Sequence, residues 1–310
     1  MSLKKIIFIV GPTAVGKSDV AFSLAQNIQG EIVSCDSMQV YKEIHIASNK
    51  PSKSALHKIR HHLIGILSVE EGFDVARYDR LAREAIQEIH GRNRIPIVVG
   101  GSGMYMQVLL DGIFEGGMKN EALRKDLRQQ AKQYGNQYLY DRLNDEDPQA
   151  AKKIHPNDVR RVIRALEICL TEKLPVSEVQ KKREGLWGKY DISLFALNRD
   201  RRELYSHIDD RVKQMVLEGL PEEIKRLNKA SWSLTARKII GVQEMQGYLG
   251  GQYDLEKAVE LMKLNTRRLA KRQLTWFRKE NRLKWILISE TDTSEKIAEA
   301  IEKDIKLERR

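Results

Sequence analysis

Eight residues near the start of the chain have the types and spacing of a phosphate-binding loop. The segment Gly11-Pro12-Thr13-Ala14-Val15-Gly16-Lys17-Ser18 fits the pattern GxxxxGK followed by Ser or Thr. In such a loop successive backbone N–H groups form a concavity, Lys17 adds a full positive charge, and the Ser18 hydroxyl can bind Mg²⁺. The motif therefore predicts a ligand that carries a pyrophosphate group. A glycine turn without a ligand is the alternative.

The segments around this loop follow the order that the motif requires. The apolar run 6–10 predicts a buried strand, and residues 19–29 have the apolar spacing of a helix. Further strands are predicted at 31–34, 62–66 and 94–99, with a helix over 73–90. Strands that alternate with helices predict an α/β fold, a P-loop core whose parallel sheet is flanked by helices. Because ligands collect at the carboxyl ends of such strands, we expect the loop, Asp36 and the glycine turn 100–103 to converge.

The alternation stops near residue 114, and residues 119–153 are polar with helical character. A strand-like run at 191–197 resumes the sheet, and a last strand is predicted at 283–289. We therefore predict a core domain over 1–116 and 191–310 with C-terminal helices, interrupted by a helical insertion domain over 117–190. The charged tail 303–310 is predicted to be a frayed helix end.

The charge distribution indicates a polyanionic partner. The chain has 54 Lys and Arg against 43 Asp and Glu, a net charge of +11. Between residues 263 and 284 the only acid is Glu280, and two cationic pairs lie one helical turn apart, Arg267 with Lys271 and Arg268 with Arg272. A solvated helix face normally mixes charge signs, so this basic stripe predicts contact with a nucleic-acid backbone. A generically basic surface is the alternative.

Cysteine usage and hydropathy predict a cytoplasmic protein. Cys35 and Cys169 are the only cysteines, which excludes a disulfide framework and a CxxC metal site. No apolar run approaches the ~20 residues that a transmembrane helix needs. We expect no membrane association and infer no obligate protein partner.

The residues after the strands argue against nucleotide hydrolysis. Such chemistry needs an acid after an apolar strand to hold Mg²⁺, whereas the strand at 95–99 ends in glycines and Asp36 is the nearest substitute. The segment Asn49-Lys50-Pro51 is not the NKxD sequence of a guanine-nucleotide switch. A kinase for a small molecule or nucleoside remains open.

Six segments together carry a resemblance to a known family. They are GPTAVGKS, SCDSMQVYKEIHIASNKPS, PIVVGGSGMYMQVLLDG, HPNDVRRVIRALEI, ARKIIGVQEM and TRRLAKRQLTWFRK. In this order and spacing, from about Ile6 to Lys279, the chain resembles the tRNA dimethylallyltransferase (tRNA isopentenyltransferase) family. It has no cysteine after Cys169 and no histidine after His207. Because eukaryotic members carry a Cys/His zinc module there, the resemblance is to the compact bacterial form.

The resemblance implies an activity, its substrates and its site residues. Members transfer the dimethylallyl group from dimethylallyl diphosphate to the exocyclic amine of the adenine 3′-adjacent to the anticodon in tRNA, with Mg²⁺ as cofactor, and release diphosphate. By resemblance Asp36 is the general base, and Thr13 and Arg211 act on the diphosphate. Contacts to the tRNA anticodon stem-loop are implied for the insertion domain 117–190 and for Asp36, Ser37, Met38, Gln39, Ser102, Arg124, Arg160, Arg161, Arg164, Lys238 and Gln243. The alternative roles are a turn cap for Asp36 and ordinary ion pairing for Arg211. A non-catalytic RNA-binding P-loop protein is a third class, which would need neither Asp36 nor Thr13.

Overall fold

A six-stranded, fully parallel sheet forms the centre of the molecule. The computed structural model describes residues 3–114, 120–181 and 183–307. In chain order the strands are β1 Lys5–Val10, β2 Gly30–Ser34, β3 His61–His62, β4 Ile95–Gly100, β5 Asp191–Arg199 and β6 Lys284–Ile288. Their spatial order is β3-β2-β4-β1-β5-β6. The α/β fold predicted from the sequence is confirmed.

Strand β1 occupies the interior of this sheet. All six of its residues are buried, and it pairs with β4 on one side and β5 on the other. The register sets Val10 opposite Gly100 and Ala196, so the segments that follow these strands leave the sheet at the same edge. A continuous apolar run is what a parallel strand covered on both faces requires.

Fourteen α-helices accompany the strands in the described part of the chain. They are α1 Lys17–Asn27, α2 Lys53–Lys58, α3 Val75–Gly91, α4 Gly103–Asp111, α5 Glu121–Tyr134, α6 Asn136–Glu146, α7 Pro148–Ala151, α8 Val159–Glu172, α9 Val176–Lys181, α10 Arg201–Leu217, α11 Leu220–Arg226, α12 Val242–Leu249, α13 Leu255–Phe277 and α14 Ser294–Leu307. A 3-10 turn covers Ala236–Lys238. Among the residues described, no helix is both long enough and apolar enough to cross a membrane.

The chain divides into two compact units. The larger unit contains residues 1–110 and 187–310, and the smaller contains residues 111–186. The smaller unit is helical and has its own core, in which Leu127, Leu139, Leu143 and Leu166 are fully buried. The sequence predicts the insertion at 117–190, and the boundary between residues 116 and 117 lies outside the described residues.

Two predictions about individual elements differ from the structure. The strand predicted at 62–66 is only two residues long, because Leu63 and Gly65 have φ angles of 63° and 60°, which are incompatible with a continuing strand. The predicted frayed end at 303–310 is wrong as far as Leu307, since α14 continues through these residues and buries Ile305 in the sheet core. Residues 308–310 lie outside the described part.

Candidate active site

The phosphate-binding motif forms the turn between β1 and α1. Gly16 adopts φ 98° and immediately precedes the helix. A Cβ atom on Gly11 would lie 2.6 Å from the carbonyl oxygen of Leu197, so only glycine fits the approach of the loop to β5. The chain therefore turns sharply at both glycines and presents the N-terminus of α1 at the carboxyl edge of the sheet, where backbone N–H groups favour an anion.

Lys17 is held inside this loop by its own backbone. Its Nζ donates a hydrogen bond to the carbonyl oxygen of Pro12 at 3.1 Å. Burial lowers the pKa of Lys17 to about 8, an effect that the neighbouring Asp36 carboxylate opposes and the Arg211 guanidinium reinforces. These mutual influences mean that the three charged groups lie within electrostatic reach of one another.

Arg211 reaches the loop from α10. Its Nη1 donates a hydrogen bond to Oγ1 of Thr13 at 2.8 Å. Burial lowers the pKa of Arg211 below its usual value, and the carboxylate of Asp36 offsets only part of this effect. Within the described residues Nε of Arg211 is buried without a hydrogen-bond partner. Because a buried guanidinium donor without a partner is costly, this group is suited to an anionic ligand.

Asp36 follows β2, next to the loop that contains Lys17. Its Oδ1 accepts a hydrogen bond from the backbone N–H of Met38 at 2.8 Å, which fixes a local turn. Oδ2 has no hydrogen-bond partner in the part of the chain that the structure describes. Asp36 therefore caps the turn with one oxygen and keeps the second available to accept a proton.

The glycine turn after β4 is fixed by close packing. A Cβ atom on Gly100 would lie 2.0 Å from the carbonyl oxygen of Cys35, and one on Gly103 would lie 2.1 Å from the ring of Trp276. The backbone N–H of Ser102 donates to the carbonyl oxygen of Cys35 at 3.2 Å. This packing excludes an acidic side chain at Gly100, the position where a nucleotide hydrolase would need one.

These segments enclose one cavity of about 380 Å³. The volume is in the range of small-molecule and cofactor sites. The sequence-predicted residues that line it are Thr13, Lys17, Ser18, Asp36, Ser37, Met38, Gln39, Ser102, Arg211, Lys238 and Arg272. Gln39 already uses its side-chain amide within the protein, since it accepts from Ser34 Oγ at 2.9 Å and donates to the carbonyl oxygen of Asn49 at 3.1 Å.

The cavity also has an apolar wall that the sequence analysis did not identify. The wall consists of three nearly fully buried side chains: Met215 of α10, Ile239 directly after the 3-10 turn, and Met262 of α13. Leu269, which is partly buried, extends this wall along α13. A charged end and an apolar wall in one cavity suit a ligand that joins a phosphate group to a hydrocarbon.

Gln273 of α13 is a second residue that the sequence analysis missed. Its Oε1 accepts a hydrogen bond from the backbone N–H of Thr13 at 2.8 Å, and its Nε2 donates to the carbonyl oxygen of Gly101 at 3.1 Å. The only sequence signal for it is its place at the end of the RRLAKRQ segment.

The cations of α13 are distributed over different faces of the helix. Arg272 lines the cavity, whereas Lys271 lines a separate cavity of about 660 Å³ between α10, α13 and the end of β6. Arg267 pairs with Asp209 and stacks on Tyr205 at 5.2 Å. Arg268 is exposed to solvent. Arg267 thus has a structural partner, whereas Arg268, Lys271 and Arg272 are exposed.

Gln243 and the predicted arginines of the smaller unit lie outside the cavity lining. Gln243 is exposed on the first turn of α12.

In the smaller unit, Arg124 forms two hydrogen bonds of 2.9 Å to the fully buried carboxylate of Glu167, which Arg164 also contacts at 2.5 Å. These ion pairs stabilise the unit's own core. Arg160 and Arg161 are exposed on the first turn of α8.

Comparison with known proteins identifies the family. The family model described as IPP transferase matches residues 39–280. The chain belongs to the IPP transferase family. Members similar to it include the tRNA dimethylallyltransferase of Alkaliphilus metalliredigens, 44% identical over 305 residues that cover 97% of both chains. That of Natranaerobius thermophilus is 42% identical over 300 residues, covering 95% of this chain and 90% of the relative.

Solved structures of this IPP transferase family have the same fold. The tRNA isopentenylpyrophosphate transferase of Bacillus halodurans is 39% identical, with a TM-score of 0.72, over 99% of this chain and 100% of that chain. A eukaryotic dimethylallyltransferase, crystallised acting on tRNA, is 31% identical with a TM-score of 0.83, over 99% of this chain and 80% of that chain.

Proposed function

We propose that this protein transfers the dimethylallyl group from dimethylallyl diphosphate to the exocyclic amine of the adenine 3′-adjacent to the anticodon in tRNA. The observation that carries this proposal is the composition of one cavity, in which Lys17 and Arg211 lie close to the Asp36 carboxylate and an apolar wall faces the same space. This arrangement can bind a diphosphate and a short hydrocarbon, and it places a carboxylate where it can accept a proton. The relatives named tRNA dimethylallyltransferase support the same substrates.

The chemistry assigns a role to each charged residue. The adenine amine nitrogen attacks C1 of the dimethylallyl group, and the C1–O bond breaks so that its electron pair leaves with diphosphate. The nitrogen becomes positively charged and loses a proton to Oδ2 of Asp36, assistance worth roughly a hundred- to ten-thousandfold in rate. Lys17 and Arg211 stabilise the charge that accumulates on the departing diphosphate. Thr13 orients Arg211 through its hydroxyl group.

The residues present fit Mg²⁺ as the cofactor. No group of three or more His, Cys, Asp or Glu side chains in the described residues could hold a metal by itself. Mg²⁺ instead commonly uses one or two protein oxygens together with substrate phosphates. The Ser18 hydroxyl, which lines the cavity, would supply the protein oxygen. The ion would neutralise charge on the leaving diphosphate.

The tRNA is proposed to meet exposed cations outside the cavity. Arg268 and Lys271 of α13 and Arg160 and Arg161 of α8 are exposed, and such side chains contact phosphates without reading sequence. The target adenine must leave the single-stranded loop to reach Asp36, as bases do in enzymes that act on them. Because its acceptor is tRNA, we expect the protein to act in the cytoplasm.

A direct experiment separates this function from phosphoryl transfer. The protein is incubated with unmodified tRNA and Mg²⁺, and either dimethylallyl diphosphate or ATP, and tRNA nucleosides are analysed by mass. We expect a dimethylallyl adduct on adenosine with the first donor and no ATP turnover with small acceptors. ATP turnover without allyl transfer would instead establish a kinase, and binding of tRNA without either reaction would establish a non-catalytic RNA-binding protein.

A further inference from the structure

The side-chain amide of Gln273 joins two loops that belong to different strands. It accepts from the backbone N–H of Thr13 in the phosphate-binding loop after β1 at 2.8 Å. It donates to the carbonyl oxygen of Gly101 in the turn after β4 at 3.1 Å. One acceptor and one donor are required in these positions, and a primary amide supplies both.

The glycine opposite Gln273 is part of the same arrangement. A Cβ atom on Gly101 would lie 2.2 Å from Nε2 of Gln273, so the amide occupies the space that a side chain at residue 101 would fill. The neighbouring Ser102 N–H bonds the carbonyl oxygen of Cys35, the residue before Asp36. Gln273 and the peptide group between Gly101 and Ser102 therefore connect the phosphate-binding loop to the carbonyl oxygen of Cys35, the residue before Asp36.

Thr13 is held at two of its polar groups, the hydroxyl and the backbone N–H. Arg211 of α10 bonds its hydroxyl and Gln273 of α13 bonds its N–H, at 2.8 Å each. The N–H of Thr13 is used by Gln273, so the loop amides that remain to cradle a diphosphate are those closer to Lys17. The position of the loop thus depends on side chains from two distant helices.

We propose that Gln273 is a positioning residue that fixes the phosphate-binding loop relative to the Asp36 edge of the cavity. It sets the separation between C1 of the bound donor and the carboxylate that accepts the proton, and it does not touch the reacting atoms. This inference rests on the proposed function. A displacement of about 1 Å between reacting groups lowers rates by about a hundredfold, so a single amide can have a large effect on turnover.

The test compares two substitutions of similar size with a control on the same helix. Gln273→Glu keeps the shape and the acceptor but lacks a donor unless its carboxyl is protonated, and Gln273→Met removes both hydrogen bonds. Thr275→Ala is the control, because Thr275 is exposed and its hydroxyl, among the described residues, bonds only the carbonyl oxygen of Lys271 in its own helix. Steady-state kcat and KM are measured for dimethylallyl diphosphate and for tRNA from pH 5.5 to 8.5, with thermal denaturation of each variant.

For both Gln273 variants we expect kcat/KM for the donor to fall about 10- to 100-fold at pH 8, while KM for tRNA stays within about twofold. For Gln273→Glu, the activity relative to wild type should rise as the pH falls, because the protonated carboxyl again offers a donor and an acceptor. For Gln273→Met, the activity relative to wild type should not change with pH. Thr275→Ala should match wild type.

Donor kcat/KM within twofold of wild type in Gln273→Met would overturn the proposal. So would a KM for tRNA that rises as much as donor kcat/KM falls, or a Gln273→Glu activity relative to wild type that is constant with pH, since either result describes a merely structural residue. If Gln273→Glu does not fold, donor kcat/KM together with KM for tRNA in Gln273→Met decides alone. Absence of allyl transfer by the wild-type protein would instead refute the proposed function.

Discussion

The hydrogen bond between Arg211 and Thr13 gives a prediction whose magnitude follows from the structure. Replacing Thr13 by Val keeps the branched shape and removes only the hydroxyl that accepts from Nη1 of Arg211 at 2.8 Å. Thr13 is only 9% exposed, so water cannot readily replace the lost acceptor. The guanidinium would then have a second buried donor without a partner, in addition to Nε, which already lacks one within the described residues.

A hydrogen bond to a charged group contributes about 1.5 to 3 kcal/mol. If that amount is lost from stabilisation of the departing diphosphate, kcat/KM for dimethylallyl diphosphate falls by roughly 10- to 150-fold, since each 1.36 kcal/mol corresponds to a factor of ten. Thr13→Ser is the matched control. It keeps the hydroxyl and should retain donor kcat/KM within about threefold of wild type.

The assay is the initial rate of allyl transfer at saturating tRNA over a range of donor concentrations. Thermal denaturation of both variants shows whether folding is preserved. Equal donor kcat/KM in the Val and Ser variants would refute the reasoning, because the hydroxyl would then have no part in holding Arg211 for the diphosphate.

Three further predictions follow from the charges of the site. Asp36→Asn should lower kcat about a hundredfold or more with little change in tRNA affinity, because the amide still accepts from Met38 but cannot act as a base. Lys17, whose pKa burial lowers to about 8, is charged below that pH, so donor affinity should be constant below pH 8 and decline above it. Replacing the exposed Arg268 and Lys271 by Gln should weaken binding of all tRNAs alike and flatten log affinity against log salt by about 0.7 to 0.9 per lost phosphate contact.

Each of these has its own control and contrary result. Wild-type turnover in Asp36→Asn would reduce Asp36 to a turn cap. In Lys17→Arg the side chain stays charged, so donor affinity should not decline above pH 8. A decline above pH 8 in that variant would assign the titration to another group. Removing two charges from α14, at Lys296 and Lys303, should leave the salt dependence unchanged, and an equal change there would mean that only the net charge matters.

Local sequence patterns predict the parts of this molecule that depend on neighbours in the chain. The order of strand, loop and helix around Gly11–Ser18 and the burial of β1 follow from apolar spacing and glycine placement. Gln273 could not be predicted in this way, because it lies 260 positions from Thr13 and its role depends on how α13 packs. The length of β3 also depends on left-handed backbone at Leu63, which no residue type there indicates.

The arginines show the same difference between composition and tertiary structure. In sequence Arg124 and Arg164 are cations like Arg160, but the first two share the buried carboxylate of Glu167. Glu167 lies 43 residues from Arg124, and the pairing appears only when α5 and α8 pack. Charge counts therefore overestimate the number of side chains that are available to bind RNA.

The packing at Gly100 also limits which new activities this protein can acquire by mutation. Many P-loop enzymes differ in reaction because of a single acid placed beside the loop, so one codon change would seem enough to convert a transferase into a nucleotide hydrolase. Here any side chain at Gly100 would collide with the main chain at Cys35, 2.0 Å away, rather than with a movable side chain. Acquiring an acid there requires the end of β2 to move, and Asp36 would move with it. Gain of hydrolysis and loss of the proposed base are thus mechanically linked, which separates the two activities by a backbone rearrangement instead of a point mutation.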